Sequence, residues 1–269
     1  MADGNLGEMS FWDHVDALRG VLLRAGAVVL LMAIVFFAAM PEIFDRIILA
    51  PTRSDFCLYG LLASLGSARG ITPDFNADFS VSLINIQLAS QFFIHISTSF
   101  WLALVFSFPI IIYLLWSFVA PGLYEREKRG ARTAFLFGNV MFFIGVAVGY
   151  FLVFPLTLRF LAGYQVSELV PNQISLDSYM DNFLMLILVM GIIFELPLLA
   201  WLLGKTGLLT RSFFSSYRRH AVVVLLILAA VVTPTGDPFT LTVVFLPIYI
   251  LWELSARFVP SHSHDTAAA

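Results

Sequence analysis

Residues 183–203 read FLMLILVMGIIFELPLLAWLL, twenty-one positions with one formal charge, Glu195. At about 1.5 Å of rise per residue, a helix of this length matches the roughly 30 Å hydrocarbon core of a bilayer. A charged carboxylate at mid-membrane costs about 2.5–3.5 kcal/mol on insertion scales, so Glu195 is expected to face protein or a water-filled cavity. Two roles stay open for it on these residues alone: a structural hydrogen bond to a neighbouring helix, or a contact with a partner or substrate. Pro197, two residues on, frees a backbone carbonyl nearby.

The same pattern recurs on both sides. Residues 21–40 (VLLRAGAVVLLMAIVFFAAM) are interrupted only by Arg24, whose long side chain reaches the headgroups, and are closed by Pro41. Residues 96–119 carry no charge, and Pro109 inside them predicts a kink. Residues 133–154 are uncharged and end at Pro155, with Gly145 and Gly149 spaced to admit a neighbouring helix backbone. Residues 221–232 and 239–252 are short, separated by Thr233-Pro234-Thr235-Gly236-Asp237-Pro238, and predict local membrane thinning. The expected fold class is therefore all-α integral membrane, one six-span domain over residues 1–259 followed by a disordered tail at 260–269.

Composition agrees. Of 269 residues 59% are hydrophobic and 12% charged, and the mean hydropathy is +0.89, whereas soluble domains are about 45–50% apolar and about a quarter charged. A net charge of −3 offers no basic footprint for nucleic acid. The lone Cys57 excludes an internal disulfide and reads as a small apolar packing residue. No H-E-x-x-H, G-x-S-x-G or Walker motif occurs, no pair of intramembrane aspartates, and five His form no ligand spacing. No enzyme, metal or cofactor is expected.

Six spans put both termini on one side. With that side taken as cytoplasmic, it holds eleven of the fifteen Lys and Arg residues (Arg19, Arg24, Arg126, Lys128, Arg129, Arg132, Lys205, Arg211, Arg218, Arg219 and Arg257). The opposite side holds Arg46, Arg53, Arg69 and Arg159. The positive-inside rule thus places both termini in the cytoplasm.

The first residues carry acids (Asp3, Glu8, Asp13, Asp16) where a cleavable signal carries bases. Ser10 and Asp13 form a capping box, and Phe11, Val15, Leu18 and Leu22 make an apolar stripe. This predicts a short helix lying along the membrane and running into the first span. Asp13 and Ala17 share a face, while Asp16 points about 100° away and His14 reads as an exposed imidazole. The segment Phe118-Val119-Ala120-Pro121-Gly122-Leu123-Tyr124-Glu125-Arg126-Glu127-Lys128-Arg129 reads either as a self-neutralising turn or as an apolar, proline-anchored lead-in that holds a carboxylate near the membrane surface. Thr233 to Asp237 reads as a tight turn between helices.

These residues resemble the TatC family, the multispan receptor subunit of the Sec-independent, twin-arginine protein translocase. The resemblance runs from Phe11 to about Phe258. It is carried by His14-Val15-Asp16-Ala17-Leu18-Arg19, Ala50-Pro51, Phe118 to Tyr124 with Glu127 and Arg129, Val153-Phe154-Pro155-Leu156, Phe194-Glu195-Leu196-Pro197, and Thr233-Pro234 with Asp237. It implies a cupped arrangement of six helices in the inner membrane of a prokaryote, both termini cytoplasmic. It also implies binding of the twin-arginine signal peptides of folded cargo, transport driven by the proton-motive force with single-span TatA/TatB-type subunits, and a homo-oligomer in the receptor complex.

The physical basis is the fork of a guanidinium, which a carboxylate meets bidentately in charge-assisted bonds of about 1.5–3 kcal/mol. By this resemblance Glu127 is the first arginine-reading carboxylate, with His14, Arg19, Phe118, Pro121, Leu123 and Tyr124 around it. The family usually has Glu where this chain has Ala17, and often a basic residue where it has Val21. Asp13, one turn back, or the adjacent Asp16 is expected to take that role. Leu241 stands where the family often has Gln, so the polar patch for a partner helix is expected to rest on Thr233, Asp237, Thr240 and Thr242. Glu195 matches the intramembrane glutamate that lines the concave face. The first extracytoplasmic loop is long for the family, and its middle, residues 65–79, is expected to form an irregular cap. The competing reading is a secondary transporter or channel with Glu195 as proton or ion site; a single intramembrane acid and no evident repeat count against it.

Overall fold

The computed structural model describes residues 11–68, 79–119, 125–167, 169–205 and 209–259; side chains at 11, 13, 14, 65–68, 119, 125–132 and 258 lie outside that description, as do the tail, Ser10 and its capping box. The helices are α1 (Phe11–Ile43), α2 (Cys57–Ala68), α3 (Ser90–Val119), α4 (Glu125–Val148), α5 (Phe154–Gly163), α6 (Leu176–Ile193), α7 (Leu196–Lys205), α8 (Arg211–Ser216), α9 (Arg218–Val232) and α10 (Pro238–Phe258). Two-residue strands β1 (Leu83–Ile84) and β2 (Ile174–Ser175) pair in parallel, Leu83 opposite Ile174.

Among the described residues, five helical stretches are long and apolar enough to cross a bilayer: Val15–Ser64, Ser90–Phe118, Thr133–Gly163, Leu176–Lys205 and Pro238–Arg257. Their outer faces suit lipid. Leu30, Leu31, Ile34 and Val35 of α1 are 60–64% exposed, a contiguous apolar surface that a water-soluble chain rarely shows. The chain is an all-α membrane protein. Helix α9 is short, at 15 residues, as its sequence suggests. Helix α10 runs 21 residues, past Trp252, because Glu253 and Arg257 lie on the same helix and reach the polar layer rather than ending it.

The α1 helix corrects two expectations. It runs unbroken for 33 residues, so its first turns do not form a separate helix lying along the membrane. Gly20 alone costs about 1 kcal/mol relative to Ala, too little to break a helix of good formers such as Ala17, Leu18 and Arg19. Nor does Pro41 close the first span, for it lies inside α1, and a π-helical turn, Phe44–Ile48, follows. Pro155 likewise falls inside the third apolar stretch, after a second π turn, Gly149–Val153, and the helix continues as α5. In lipid no water can take the carbonyl that a proline orphans, so the chain widens locally and borrows donors from its neighbours instead of stopping.

Three tyrosines that sequence patterning did not single out donate to carbonyls of the irregular backbone that follows α1. The hydroxyl of Tyr150 donates to Ile47 O at 2.8 Å, that of Tyr179 to Ile48 O, and that of Tyr59 to Pro51 O at 2.9 Å. They pin the irregular segment 44–52, including the 3-10 turn Ala50–Thr52, onto α2, α6 and the third apolar stretch. Tyr59 also reaches Pro155 O at 3.3 Å. The polar tip on an aromatic body suits this depth, where one end of the side chain is dry and the other meets backbone.

Two further expectations change on this side. Residues 65–68, taken with an irregular cap, continue α2, and residues 69–78 lie outside the description. Cys57 is exposed at the start of α2 rather than packed; the buried positions there are Phe56 and Tyr59.

The core lies where α4, the π turn after it and α5 meet α6. Phe154, Tyr179 and Phe183 pack with ring centroids 5.0–6.1 Å apart. A Cβ on Gly145 would sit 2.5 Å from Met190 O, one on Gly149 3.0 Å from Ile187 Cα, and one on Gly191 2.9 Å from the Phe142 ring. The glycine spacing therefore brings α4 and α6 into backbone contact.

Candidate functional site

Two ends of the helix bundle matter. At the first face α1 begins, α3 ends and α4 begins. The α3 helix lies antiparallel to α1, since Met40 and Pro41 near the end of α1 line one cavity with Gln91 and Ile94 near the start of α3, while Phe36, further back along α1, meets Phe106, further on along α3, at 5.1 Å. The start of α1, with Asp13, His14, Asp16 and Arg19, therefore lies at the same end as the α3–α4 connection. Asp16 and Arg19 are exposed, and Phe118 is half-buried in the last turn of α3. Glu127 falls in the first turn of α4, on backbone only. Pro121, Leu123 and Tyr124 lie outside the described residues, as do the side chains of Asp13 and His14. Arrangement of the backbone thus groups both acidic segments at one end.

Glu195 occupies the turn between α6 and α7. Its own N–H donates to Ile192 O at 3.0 Å, a tightened turn, and its carbonyl accepts from Leu199 N–H at 3.0 Å. Pro197 has no N–H for Ile193 O, which explains why α6 ends there. The side chain lies against Gly138 of α4, where a Cβ would be 2.8 Å from Oε2. Oε1 is buried and has no hydrogen-bond partner. A buried, unpartnered carboxylate oxygen is expensive, so the niche has spare capacity for a donor. Asn139, next along α4, also keeps a buried Oδ1 unpartnered while its amide donates to Phe135 O at 2.9 Å. Gly138 and Asn139 were not legible as site residues; the seven-residue step from Gly138 to Gly145, two turns on one face, is the only trace.

Thr233 and Asp237 lie at the second face and are not brought together with Glu195. Thr235 lines the same cavity as Ser178 and Asn182 near the start of α6, and Glu195, just past the other end of that helix, is about 20–25 Å away by the rise per residue. Asp237 caps α10. Its Oδ2 accepts the Thr240 N–H at 2.7 Å and its Oδ1 the Thr235 hydroxyl at 2.6 Å. Burial alone would raise this carboxyl, but these bonds to its charged form outweigh burial and hold it below the ordinary aspartate value. Thr233 is buried and its hydroxyl donates to Ala230 O. Thr240 is buried too, with an unpartnered hydroxyl. Among the described residues no group of His, Cys, Asp and Glu is placed to hold a metal.

Comparison with known proteins matches this architecture. Residues 13–247 match the family model described as TatC, Sec-independent protein translocase protein. The TatC of Blattabacterium sp. subsp. Periplaneta americana is 33% identical over 250 residues, 92% of this chain and 94% of that one. That of Deinococcus radiodurans is 28% identical over 253 residues, covering 94% and 86%. A crystal structure of the twin arginine translocase receptor TatC in DDM superposes with a TM-score of 0.71 at 27% identity, covering 92% of this chain and 99% of that one. A second crystal structure of that receptor gives 0.67 at 26% identity, covering 91% and 97%.

Proposed function

The chain belongs to the TatC family of Sec-independent protein translocase proteins, and from that premise we propose that it is the component that reads twin-arginine signal peptides. It is a multi-pass membrane protein of a protein translocase, works with protein partners and is not an enzyme. Membership supports protein translocation over the secondary-transporter reading of the chain.

In the proposed mechanism the first face is cytoplasmic in an inner membrane, and the distribution of Lys and Arg supports that orientation. Glu127 on α4 takes one guanidinium of the arginine pair and Asp13 or Asp16 on α1 takes the other. His14, Arg19, Phe118, Pro121, Leu123 and Tyr124 shape the surface between them. A carboxylate meets guanidinium through two parallel bonds and ammonium through one, which is how the site separates Arg from Lys. Glu195 and the Thr233–Asp237 turn serve partner assembly at two depths, contacting single-span TatA/TatB-type subunits, and the proton-motive force drives transport. Several copies assemble in the receptor complex.

The observation that carries this reading is the extent of the family match: it spans both acidic segments that the backbone groups at one end. The test is retention of the purified chain on an immobilised twin-arginine signal peptide and on its twin-lysine version. Strong retention on the first only, lost in Glu127→Ala and in the double variant Asp13→Ala/Asp16→Ala, is expected. Equal retention on both peptides would remove the proposal.

A further inference from the structure

Away from the residues assigned to signal-peptide reading and partner assembly, a cavity of about 510 Å³ opens at the first face between α8, the start of α9 and the end of α10. Arg211, Ser212, Ser215, Arg218, Glu253 and Arg257 surround it. Three guanidiniums face one carboxylate, and that carboxylate is already engaged. Glu253 Oε2 pairs with Arg218 at 2.7 Å and its Oε1 accepts the Tyr249 hydroxyl at 3.0 Å. Among the described residues neither Arg211 nor Arg257 has an acidic partner. The cavity therefore carries surplus positive charge and repels an arginine pair.

Its depth is marked by aromatic rings. Trp252 packs on Phe214, the buried floor, with centroids 4.7 Å apart, and Phe213 meets Tyr217 at 4.7 Å. Such clusters with polar tips sit at the headgroup level of membrane proteins. From the cavity an apolar track descends along α10. Leu254, Ile250 and Leu246 are exposed at 37%, 49% and 56%, spaced by four on one face, with Arg257 three residues beyond Leu254 at its head. A cationic cup above an exposed apolar stripe has the shape of an amphiphile with an anionic head. A free phosphate would use the cup and leave the stripe unexplained.

We infer that this cavity is a binding site for the phosphate headgroup of an anionic phospholipid, whose acyl chain lies along Leu254, Ile250 and Leu246. Basic pockets between membrane helices are chemically suited to such headgroups. The site is independent of signal-peptide reading and survives failure of that proposal.

The full chain in phosphatidylcholine nanodiscs doped with phosphatidylglycerol tests it, with retained lipids counted by native mass spectrometry. Phosphatidylglycerol should stay bound to the native chain, and Arg211→Gln/Arg257→Gln should lower its retention about tenfold or more, the scale of two lost guanidinium–phosphate contacts. Arg24→Gln/Arg219→Gln, which removes two exposed charges of the same face outside the cavity, should leave retention unchanged. Equal loss in both double variants would reduce the effect to diffuse attraction and overturn the site. Displacement of the lipid by inorganic phosphate, or by an acidic peptide such as oligoglutamate, at comparable occupancy would overturn the lipid as its occupant.

Discussion

The Nε2 of His95 on α3 lies 2.9 Å from the carbonyl oxygen of Phe37 on α1. That carbonyl is the acceptor that Pro41, four residues on, cannot serve with a helical N–H. An imidazole from the next helix thus replaces a missing backbone donor, while its ring stacks on Phe37 at 4.0 Å.

His95→Phe keeps the stack and removes the donor. Thermal unfolding of the purified chain should show a loss of about 1 kcal/mol, the ordinary net value of one hydrogen bond. Adding Pro41→Ala restores a backbone N–H for Phe37 O, so the double variant should recover most of that loss. A double variant no more stable than His95→Phe would break the assignment.

Gly145 and Gly138 should respond differently to alanine. A Cβ at Gly145 meets the Met190 carbonyl at 2.5 Å, a backbone atom that only moves with α6, whereas at Gly138 it meets the ends of the Leu198 and Glu195 side chains. Gly145→Ala is expected to cost about 1–3 kcal/mol as overpacking. Gly138→Ala should cost less in unfolding experiments, because side-chain ends rotate away, and should shift the position of the Glu195 carboxylate in a structure of the variant.

Glu195→Ala should leave signal-peptide retention unchanged and lower export in cells depleted of the native chain. The carboxylate is buried in the α4–α6–α7 niche with one oxygen unpartnered, which suits a partner's donor rather than the surface at the start of α1. Normal export would make Glu195 a packing residue only.

Asp237 couples the second face to pH. Its carboxyl is held below the ordinary aspartate value by the Thr235 and Thr240 bonds. The folded pKa lies below the unfolded one, so the stabilisation is complete above the unfolded value of about 4 and is lost as pH falls through the folded value. The protection factor of the Thr240 amide, its exchange relative to the intrinsic rate at each pH, should be high at neutral pH and fall as Asp237 is protonated. Asp237→Ala should show a low protection factor at every pH, with about 0.5–2 kcal/mol of lost capping.

Most of the fold follows from apolar runs, because lipid requires length and lack of charge, and both are written in residues such as those at 183–203. What the sequence misplaces are helix ends. Pro41 and Pro155 read as stops by the rules of soluble helices, yet His95 takes over the bond lost at Pro41 and three tyrosines hold the irregular backbone that follows it, and distance in sequence hides them. Glu195 was legible because charge is rare among its neighbours. Its niche was not, since Gly138 contributes by what it lacks. The surplus arginines at 211 and 257 were visible only as topology markers; the cavity between them exists through the packing of Trp252 on Phe214.

Continuity of α1 turns sequence spacing into a gauge of height and phase. From Arg24, where the uncharged run begins, Asp16 stands about 12 Å further along the axis and Asp13 about 16 Å, with each residue adding about 1.5 Å and 100°. A hinged segment would let these carboxylates drift over the headgroups. A single rod fixes their elevation and bearing relative to the lipid-facing stripe of Leu30, Leu31, Ile34 and Val35, so that anything meeting them arrives at a set distance from the bilayer and from a set side.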